Sequence, residues 1–345
     1  MKRYFLLAAI SVLLFAESGL TQNLSIQVAG VKRNCILHVP SGINSPAVVF
    51  VLHGLGGDGA GMQSSTQMDK VADREKFIVA YPSAIGGKWD HTSTKNDYTF
   101  LKDLIDTLDA RYQIDRNRVY VTGFSQGGGM TVYIGFQYPE IFAAIAPTSS
   151  IGSGVPKPKK PIPIFLTFGT NDMYPVATFM SAVSSWLEID SCPSTAVVER
   201  PYPLSNTRSV VTRLSFGPCA QGTEVVVDSI AGGGHEWPMN TTTKVNNSEE
   251  VWAFFKKFSL DRTTGNLPSN KPARKPLVAK YRSGIIQFES GGLENSIHIT
   301  DASGRSVCTA VTKNGQIAFK RDPGLYIVRV ENQRGIGTVK IVVPE

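Results

Sequence analysis

The segment RVYVTGFSQGGGMTVYIGF, residues 118–136, decides the fold. Its first residues are β-branched and aromatic and favour a strand, whereas its last residues favour a helix. Between them lies GFSQG, residues 123–127, a G-x-S-x-G sequence. A sharp turn from strand to helix lifts such a serine above the sheet edge, and glycine at both ends of the pentapeptide avoids a steric collision. The segment therefore predicts that Ser125 is a nucleophile on a sheet flanked by helices.

The alternation of strand and helix continues on both sides of this segment, from Asn34 to about Leu260. Apolar runs typical of strands are NCILHV, AVVFVLH, FIVAYP, RVYVTG, AAIAPT, PIFLTFG and EVVVDSI. The clearest helix pattern is residues 96–112, and the last predicted helix is residues 248–258. Strands that alternate with helices predict an α/β fold, a mostly parallel sheet covered on both faces.

The first 22 residues predict export as a signal peptide. Lys2 and Arg3 precede an apolar run from Tyr4 to Ala16, and small residues surround a cleavage position after Ser18 or slightly later. The run is shorter than the roughly 20 residues that a membrane-spanning helix needs, so the alternative of an N-terminal anchor is less favoured. We expect a secreted or cell-surface bacterial protein with no membrane span in its mature form.

The composition of the chain changes after the predicted α/β domain, residues 23–260. Residues 261–277 are polar, basic and proline-containing, which predicts a linker. In residues 278–345, short strand-like runs alternate with turn signals such as SGG, KNG and DPG, which predicts a small antiparallel β-sandwich.

Positive charge is concentrated around the predicted linker. Residues 262–282 carry six basic residues and no acid, and so supply six of the formal net charge of +7. We interpret them as a solvated linker, with weak attraction to acidic polysaccharide as the alternative. Nucleic-acid binding is not predicted, because neither interleaved aromatic residues nor a recognition helix accompanies the charge.

The four cysteines fit an oxidising compartment. Cys192 and Cys219 flank a segment rich in Pro, Ser and Thr that lacks helical periodicity, and we predict a disulfide that closes this loop. Cys35 and Cys308 lie in strand-like runs of different regions and are interpreted as buried thiols. No Cys/His spacing resembles a metal site, so neither a metal nor another cofactor is expected.

A serine nucleophile needs a base, and the base needs an orienting acid. In this architecture the order is Ser, Asp or Glu, then His, each at the carboxyl end of a strand. Asp172 follows the run PIPIFLTFG, although a helix N-cap is its alternative role. Of five histidines, only His235 is both late in the chain and on a glycine-rich loop. Asp190 and Asp228 are rival acids, but neither follows a strand end so directly.

A second donor for an oxyanion is expected after an early central strand. The segment AVVFVLHGLGGDGAG, residues 47–61, ends a buried strand at His53 and continues as a glycine-rich loop. We predict the backbone amides of Leu55 and Gln126 as the oxyanion donors. A phosphate-binding loop is the alternative, but the Lys-Ser/Thr pair that should follow it is absent from this sequence.

Six ordered motifs carry a resemblance to a known family. They are LHGLGGDG, GGKWD, RVYVTGFSQGGGM, FAAIAPTSS, FGTNDMYPV and GGGHEWP, all within residues 30–258. Together they resemble the carbohydrate esterase family of feruloyl and acetyl xylan esterases, to which secreted polyhydroxybutyrate depolymerases are related. The resemblance implies an α/β-hydrolase fold without a metal cofactor. It also supports catalytic roles for Ser125, Asp172 and His235.

The same resemblance bears on the disulfide and on two tryptophans. A disulfide near the histidine loop is common in such enzymes, which supports pairing Cys192 with Cys219. Trp89 and Trp237 fall in motifs that lie near the cleft in relatives, which implies that both contact substrate. Their alternative is a core position, because tryptophan is often buried.

The C-terminal stretch GLYIVRVENQRGIGTVKIVV is similar to sorting domains of the type-nine secretion pathway and to cell-surface tails of plant-degrading bacteria. This resemblance implies contact with secretion or cell-surface machinery. A carbohydrate-binding module is the alternative, although its aromatic residues are few. They are Tyr281, Phe288, Phe319 and Tyr326.

These patterns together predict a secreted serine esterase that hydrolyses hydroxycinnamoyl (feruloyl) esters of plant cell-wall xylan through an acyl-enzyme. Acetyl xylan esterase and polyhydroxybutyrate depolymerase activities are alternatives with the same chemistry. A peptidase, or a carbohydrate-binding surface protein on a hydrolase scaffold, is less favoured. A pure binder has no use for a serine, an acid and a histidine together.

Overall fold

The computed structural model divides the chain into two compact units, Met1–Gly265 and Asn266–Glu345. The structure describes residues 19–90, 95–152, 157–158, 160–239, 242–261, 279–282, 284–288, 294–301, 306–332 and 335–343. Most of the predicted signal peptide, His91, and the predicted linker except Asp261 lie outside the described residues, and so does most of the basic segment.

The first unit is built on one ten-stranded sheet, with the order β1-β2-β4-β3-β5-β6-β7-β10-β9-β8. Its strands are β1 (Leu20–Val28), β2 (Val31–Val39), β3 (Val48–Leu52), β4 (Ile78–Pro82), β5 (Val119–Phe124), β6 (Ala144–Thr148), β7 (Ile164–Gly169), β8 (Val197–Glu199), β9 (Val211–Phe216) and β10 (Val225–Ile230). Strands β4, β3, β5, β6, β7 and β10 pair in parallel. The strands at both edges pair antiparallel.

Six helices cover the two faces of this sheet. They are α1 (Gly59–Thr66), α2 (Met68–Glu75), α3 (Lys95–Tyr112), α4 (Gln126–Gln137), α5 (Val176–Ile189) and α6 (Asn247–Phe255). Successive residues of β3 alternate between two cores: Val48 and Phe50 pack with residues of α3, α4 and α5, whereas Val49 and Val51 pack with residues of α1, α2 and α6. The strand is fully buried, as expected of a parallel sheet covered on both sides.

Strand β3 is the point at which the chain changes direction across the sheet. The next strand in sequence, β4, pairs with one side of β3, and β5 pairs with the other side. The carboxyl ends of β3 and β5 therefore open into a crevice where loops from both directions meet, which is where open α/β sheets place ligands.

The turn between β5 and α4 is unusually tight. Ser125 has φ 54° and ψ −121°, a backbone conformation that non-glycine residues rarely adopt. A Cβ on Gly123 would lie 2.5 Å from the carbonyl group of Gly127. A Cβ on Gly127 would overlap the carbonyl oxygen of Leu52 and would lie 2.5 Å from that of His53. Both glycines are therefore required, because backbone atoms of α4 and β3 occupy the space of a side chain.

A disulfide closes the loop predicted to contain one. Cys192 and Cys219 are bonded across 27 residues and join the end of α5 to the segment before β10. Cys35 is buried and unbonded, and Cys308 is half-buried and unbonded. Burial raises the pKa of the Cys35 thiol far above its ordinary value, which disfavours the reactive thiolate form.

The second unit consists of two antiparallel sheets, a three-stranded one (β11-β12-β15) and a four-stranded one (β14-β13-β16-β17). Its strands are β11 (Ala279–Arg282), β12 (Ile285–Phe288), β13 (Asn295–Asp301), β14 (Ser306–Thr312), β15 (Gln316–Ala318), β16 (Gly324–Asn332) and β17 (Gly335–Val343). Ile286 and Phe288 of one sheet share a core with Ile297, Ile299 and Val328 of the other. The predicted all-β character of this region is confirmed. Among the described residues of the chain, no helix is long and apolar enough to cross a membrane.

We expect two glycines of α4 to respond oppositely to alanine. Gly127→Ala should lower the free energy of unfolding by about 3 kcal/mol or more, because its methyl group would overlap the carbonyl oxygens at the end of β3. Gly129→Ala should raise it by up to about 1 kcal/mol, because a Cβ there makes ordinary contacts with the Ser150 Oγ at 3.4 Å and the Gly152 Cα at 3.8 Å, and alanine favours the helix. Urea denaturation followed by circular dichroism measures both. Equal effects of the two substitutions would contradict this account of the turn.

Removal of the disulfide should destabilise the first unit. The variant with Cys192→Ser and Cys219→Ser should lose about 3–4 kcal/mol of unfolding free energy, because the open chain regains the entropy of a 27-residue loop. The matched control is Cys308→Ser, which changes a thiol without opening a loop and should differ from the parent by less than about 1 kcal/mol. An unchanged denaturation midpoint in the double variant would show that the loop is held by its other contacts.

Candidate active site

Three predicted residues meet above the carboxyl edge of the sheet. The Nε2 atom of His235 lies 2.8 Å from the Oγ of Ser125. Its Nδ1 lies 2.9 Å from the Oδ1 of Asp172. Both contacts are hydrogen bonds. A serine, an imidazole and a carboxylate linked in this way can activate the serine hydroxyl as a nucleophile.

These side chains follow the carboxyl ends of three parallel strands of the same sheet. Ser125 follows β5, Asp172 follows β7, and His235 follows β10, which pairs with β7. The loops of the acid and the base are hydrogen-bonded to each other, because the N–H of Asn171 donates to the Gly233 carbonyl at 2.8 Å. The separation of the base from its acid is therefore fixed by backbone contacts.

The carboxylate of Asp172 is shielded from solvent, whereas the imidazole is partly open. The side chain of Asp172 is fully buried and that of His235 is 22% exposed. Oδ1 also accepts a hydrogen bond of 3.3 Å from the N–H of Tyr174. Among the residues that the structure describes, the buried Oδ2 has no hydrogen-bond partner.

The two rival acids are engaged elsewhere. The carboxylate of Asp228 accepts two hydrogen bonds from Arg213, at 2.7 and 2.6 Å. Burial raises the pKa of Asp228 to about 6, and the guanidinium of Arg213 acts in the opposite direction. Asp190 ends α5, where its Oδ1 accepts from the N–H of Ile162 at 3.3 Å. Neither carboxylate is hydrogen-bonded to the imidazole of His235.

The loop after β3 lies against the nucleophile turn. A Cβ built on Gly54 would lie 3.4 Å from the Cβ of Ser125, which shows how closely the two backbones approach. Within the described part of the chain, no acceptor pairs with the backbone N–H groups of Leu55 and Gln126. Two unpaired amides on either side of a serine hydroxyl are suited to bind a developing oxyanion.

A buried histidine that the sequence argument did not use supports this loop. His53 Nδ1 donates to the Gly54 carbonyl at 2.7 Å, and its Nε2 accepts from the N–H of Ala84 at 3.0 Å. Burial lowers the pKa of His53 below its ordinary value, which favours the neutral ring that this pair of contacts requires. The feature of the sequence that could have indicated this role of His53 is its position, as a polar residue at the end of a buried strand and directly before the glycine-rich loop.

Both tryptophans predicted to contact substrate have their rings in the core. Trp89 is fully buried, and its Nε1 donates to the His53 carbonyl at 2.8 Å. Its backbone N–H donates to the Gln126 Oε1 at 3.0 Å, so Trp89 supports the loops on both sides of the nucleophile. Trp237 is 9% exposed and donates to the Ser248 Oγ at 3.2 Å. The structure thus gives both rings the core position that was their alternative.

The described residues contain no group of His, Cys, Asp or Glu side chains that could hold a metal ion.

Comparisons with known proteins agree with this geometry. Residues 34–159 match the family "Esterase PHB depolymerase". A bifunctional acetylxylan esterase/xylanase from Neocallimastix patriciarum is 31% identical over 258 residues, which cover 72% of this chain and 37% of that protein. Feruloyl esterase B from Piromyces equi is 28% identical over 261 residues, which cover 66% of this chain and 46% of that protein. The chain thus spans less than half the length of these two relatives.

A solved structure shows the same fold. The acetyl xylan esterase from Aspergillus awamori superposes with a TM-score of 0.53 at 18% identity, covering 68% of this chain and 98% of that one. At this identity the likeness concerns the fold alone. Residues 34–159 are thus similar to the esterase PHB depolymerase family, and the first unit has the α/β-hydrolase fold.

Proposed function

We propose that this protein is a secreted serine esterase that hydrolyses hydroxycinnamoyl (feruloyl) esters of plant cell-wall xylan. The single observation that supports the chemistry is the hydrogen-bonded row of Ser125, His235 and Asp172, with distances of 2.8 and 2.9 Å. A binding protein on the same scaffold would not need this row.

In the proposed mechanism, His235 Nε2 takes the proton of Ser125 as the serine oxygen attacks the acyl carbonyl. The amides of Leu55 and Gln126 hold the carbonyl oxygen as it becomes negative. Asp172 stabilises the imidazolium, which then gives its proton to the leaving alcohol oxygen. Water then takes the place of the alcohol. His235 takes a proton from the water as its oxygen attacks the acyl carbon, and the bond from that carbon to the Ser125 oxygen breaks. The acid is released and Ser125 regains its proton from His235.

Two observations support a hydroxycinnamoyl group as the acyl part. Feruloyl esterase B of Piromyces equi is a relative at 28% identity. Two large apolar side chains beside the proposed oxyanion donors are also open to solvent, with Leu55 67% and Ile85 56% exposed. Their loops are joined by a hydrogen bond of 2.8 Å from the Gly56 N–H to the Gly87 carbonyl. An aromatic acid would bury a large apolar area on such a surface, whereas an acetyl group has only one methyl group to bury.

Acetyl esters of xylan are the second candidate, and one observation favours them. The relative that is 31% identical is named an acetylxylan esterase/xylanase. Both candidates share the sugar polymer and the triad, and differ only in the acid that is released.

The first experiment is an activity panel. Purified protein should hydrolyse methyl ferulate or acetylated xylan, and Ser125→Ala should lower kcat by a factor on the order of 10⁵, because the nucleophile is lost. The matched control is Ser184→Ala, on the exposed side of α5, where only the Met180 carbonyl is contacted; its activity should equal that of the parent. Polyhydroxybutyrate completes the panel. Equal activity of parent and Ser125→Ala, or no ester hydrolysed at all, would sink the proposal.

We propose export for the protein and a sorting or anchoring role for residues 278–345. The disulfide between Cys192 and Cys219 supports an oxidising destination. Intact-mass measurement on the protein from its native host tests both points. We expect a mass that lacks the first 18 or slightly more residues, and a second loss at or after residues 261–277. A full-length second unit that binds xylan by itself would instead identify a carbohydrate-binding module.

A further inference from the structure

Among the described residues beside the triad, Tyr174 is an exposed aromatic side chain, whereas Phe124, whose ring centroid lies 4.8 Å from that of His235, is half-buried. Trp89 and Trp237 are buried, whereas Tyr174 is 43% exposed and its neighbour Met173 is 68% exposed. Both follow Asp172 directly in sequence. The substrate surface next to the catalytic acid is therefore apolar and aromatic, although neither residue belongs to the predicted site.

The ring of Tyr174 is held in place on two sides. Its centroid lies 6.5 Å from that of the His235 imidazole at an interplanar angle of 66°. It also lies 6.1 Å from the ring of Phe179, a fully buried residue of α5, at 89°. The backbone N–H of Tyr174 donates to Asp172 at 3.3 Å. Such edge-to-face contacts are favourable arrangements for aromatic rings, so the exposed part of the ring has a defined position.

The ring of Tyr174 lies next to the imidazole that would give its proton to the leaving alcohol. In ester cleavage, the bond between the acyl carbon and the alcohol oxygen breaks as His235 Nε2 gives its proton to that oxygen. The carbonyl oxygen faces the other way, towards the amides of Leu55 and Gln126. The group attached to the alcohol oxygen therefore lies near His235, and Tyr174 is an exposed ring beside that imidazole.

We propose that Tyr174 is the platform on which the sugar ring of the leaving alcohol stacks. This proposal rests on the proposed function and deepens it, because it assigns the polysaccharide side of the ester to one side chain. The carbon-bound hydrogens on one face of a sugar ring make apolar contact with an aromatic face. The Tyr174 hydroxyl has no partner among the described residues and is free to bind a sugar hydroxyl. Tyr174 is thus a specificity-determining residue that contacts substrate and takes no part in proton transfer.

The test uses two esters that share one acyl group and differ in the alcohol. Methyl ferulate carries the smallest alcohol, and feruloylated arabinoxylo-oligosaccharide carries the sugar. If the parent enzyme hydrolyses only acetyl esters, ethyl acetate and acetylated xylobiose form the equivalent pair. The variants are Tyr174→Ala, which removes the ring, and Tyr174→Phe, which keeps the ring without its hydroxyl. Val197→Ala is the matched control, since Val197 is a 68% exposed apolar residue on the edge strand β8.

Tyr174→Ala should raise KM for the sugar ester roughly tenfold and leave kcat/KM for the simple alkyl ester within about twofold of the parent. Tyr174→Phe should retain most of the parent's preference for the sugar ester, because stacking needs the ring. Val197→Ala should change neither substrate. A second measurement is binding of the intact sugar ester to Ser125→Ala, whose Kd should rise by the same factor when Tyr174→Ala is added.

Four outcomes overturn the proposal. An equal loss on both esters would show that Tyr174 acts on the triad through His235 rather than on the alcohol. No change on either ester would show that the sugar does not reach the ring. A parent enzyme that is inactive on every ester would refute the proposed function, and this proposal with it. A parent enzyme that hydrolyses the alkyl ester alone, with no effect of Tyr174→Ala, would refute the role of Tyr174 and leave the esterase chemistry intact.

Discussion

The close approach of α4 to the end of β3 is the constraint on which the rest of the site depends. Gly127 lies so near the carbonyl groups of Leu52 and His53 that no side chain fits between them. This contact holds Ser125 in its strained backbone conformation and brings the Gln126 amide next to the loop that carries Leu55. A wider turn would lower the strain, but it would separate Ser125 from one of the two amides proposed to bind an oxyanion.

The strand ends that precede Ser125, Asp172 and His235 were predictable from the sequence because each follows a local rule. The positions of Ser125, Asp172 and His235 depend only on which strand precedes them, and the strand-like runs mark those strand ends clearly. The mostly parallel sheet and the all-β second unit followed from the same periodicities. The antiparallel strands at the two sheet edges were less predictable, since β8 and β9 lie in a Pro-rich segment that contains few apolar runs.

The supporting contacts were not predictable, because they join residues that are distant in sequence. The contact of His53 with Ala84 spans 31 residues, and that of Trp89 with Gln126 spans 37. Nothing in either local pattern shows that a histidine ring will lie beneath one loop or that a glutamine side chain will accept from another. Such contacts are decided by how the loops pack once the sheet has formed, and they hold the backbone amides in position before substrate arrives.

Burial distinguishes Trp89 and Trp237 from Tyr174. An indole N–H in the core needs an acceptor, and the carbonyl of His53 and the hydroxyl of Ser248 supply acceptors for Trp89 and Trp237. Rings satisfied in this way stabilise the loops and are unavailable to a ligand. Tyr174 has the opposite character, because its ring packs edge-on against His235 and Phe179 while a large part of it stays open. An aromatic residue in a family motif therefore identifies the neighbourhood of the cleft, and exposure decides which ring faces the substrate.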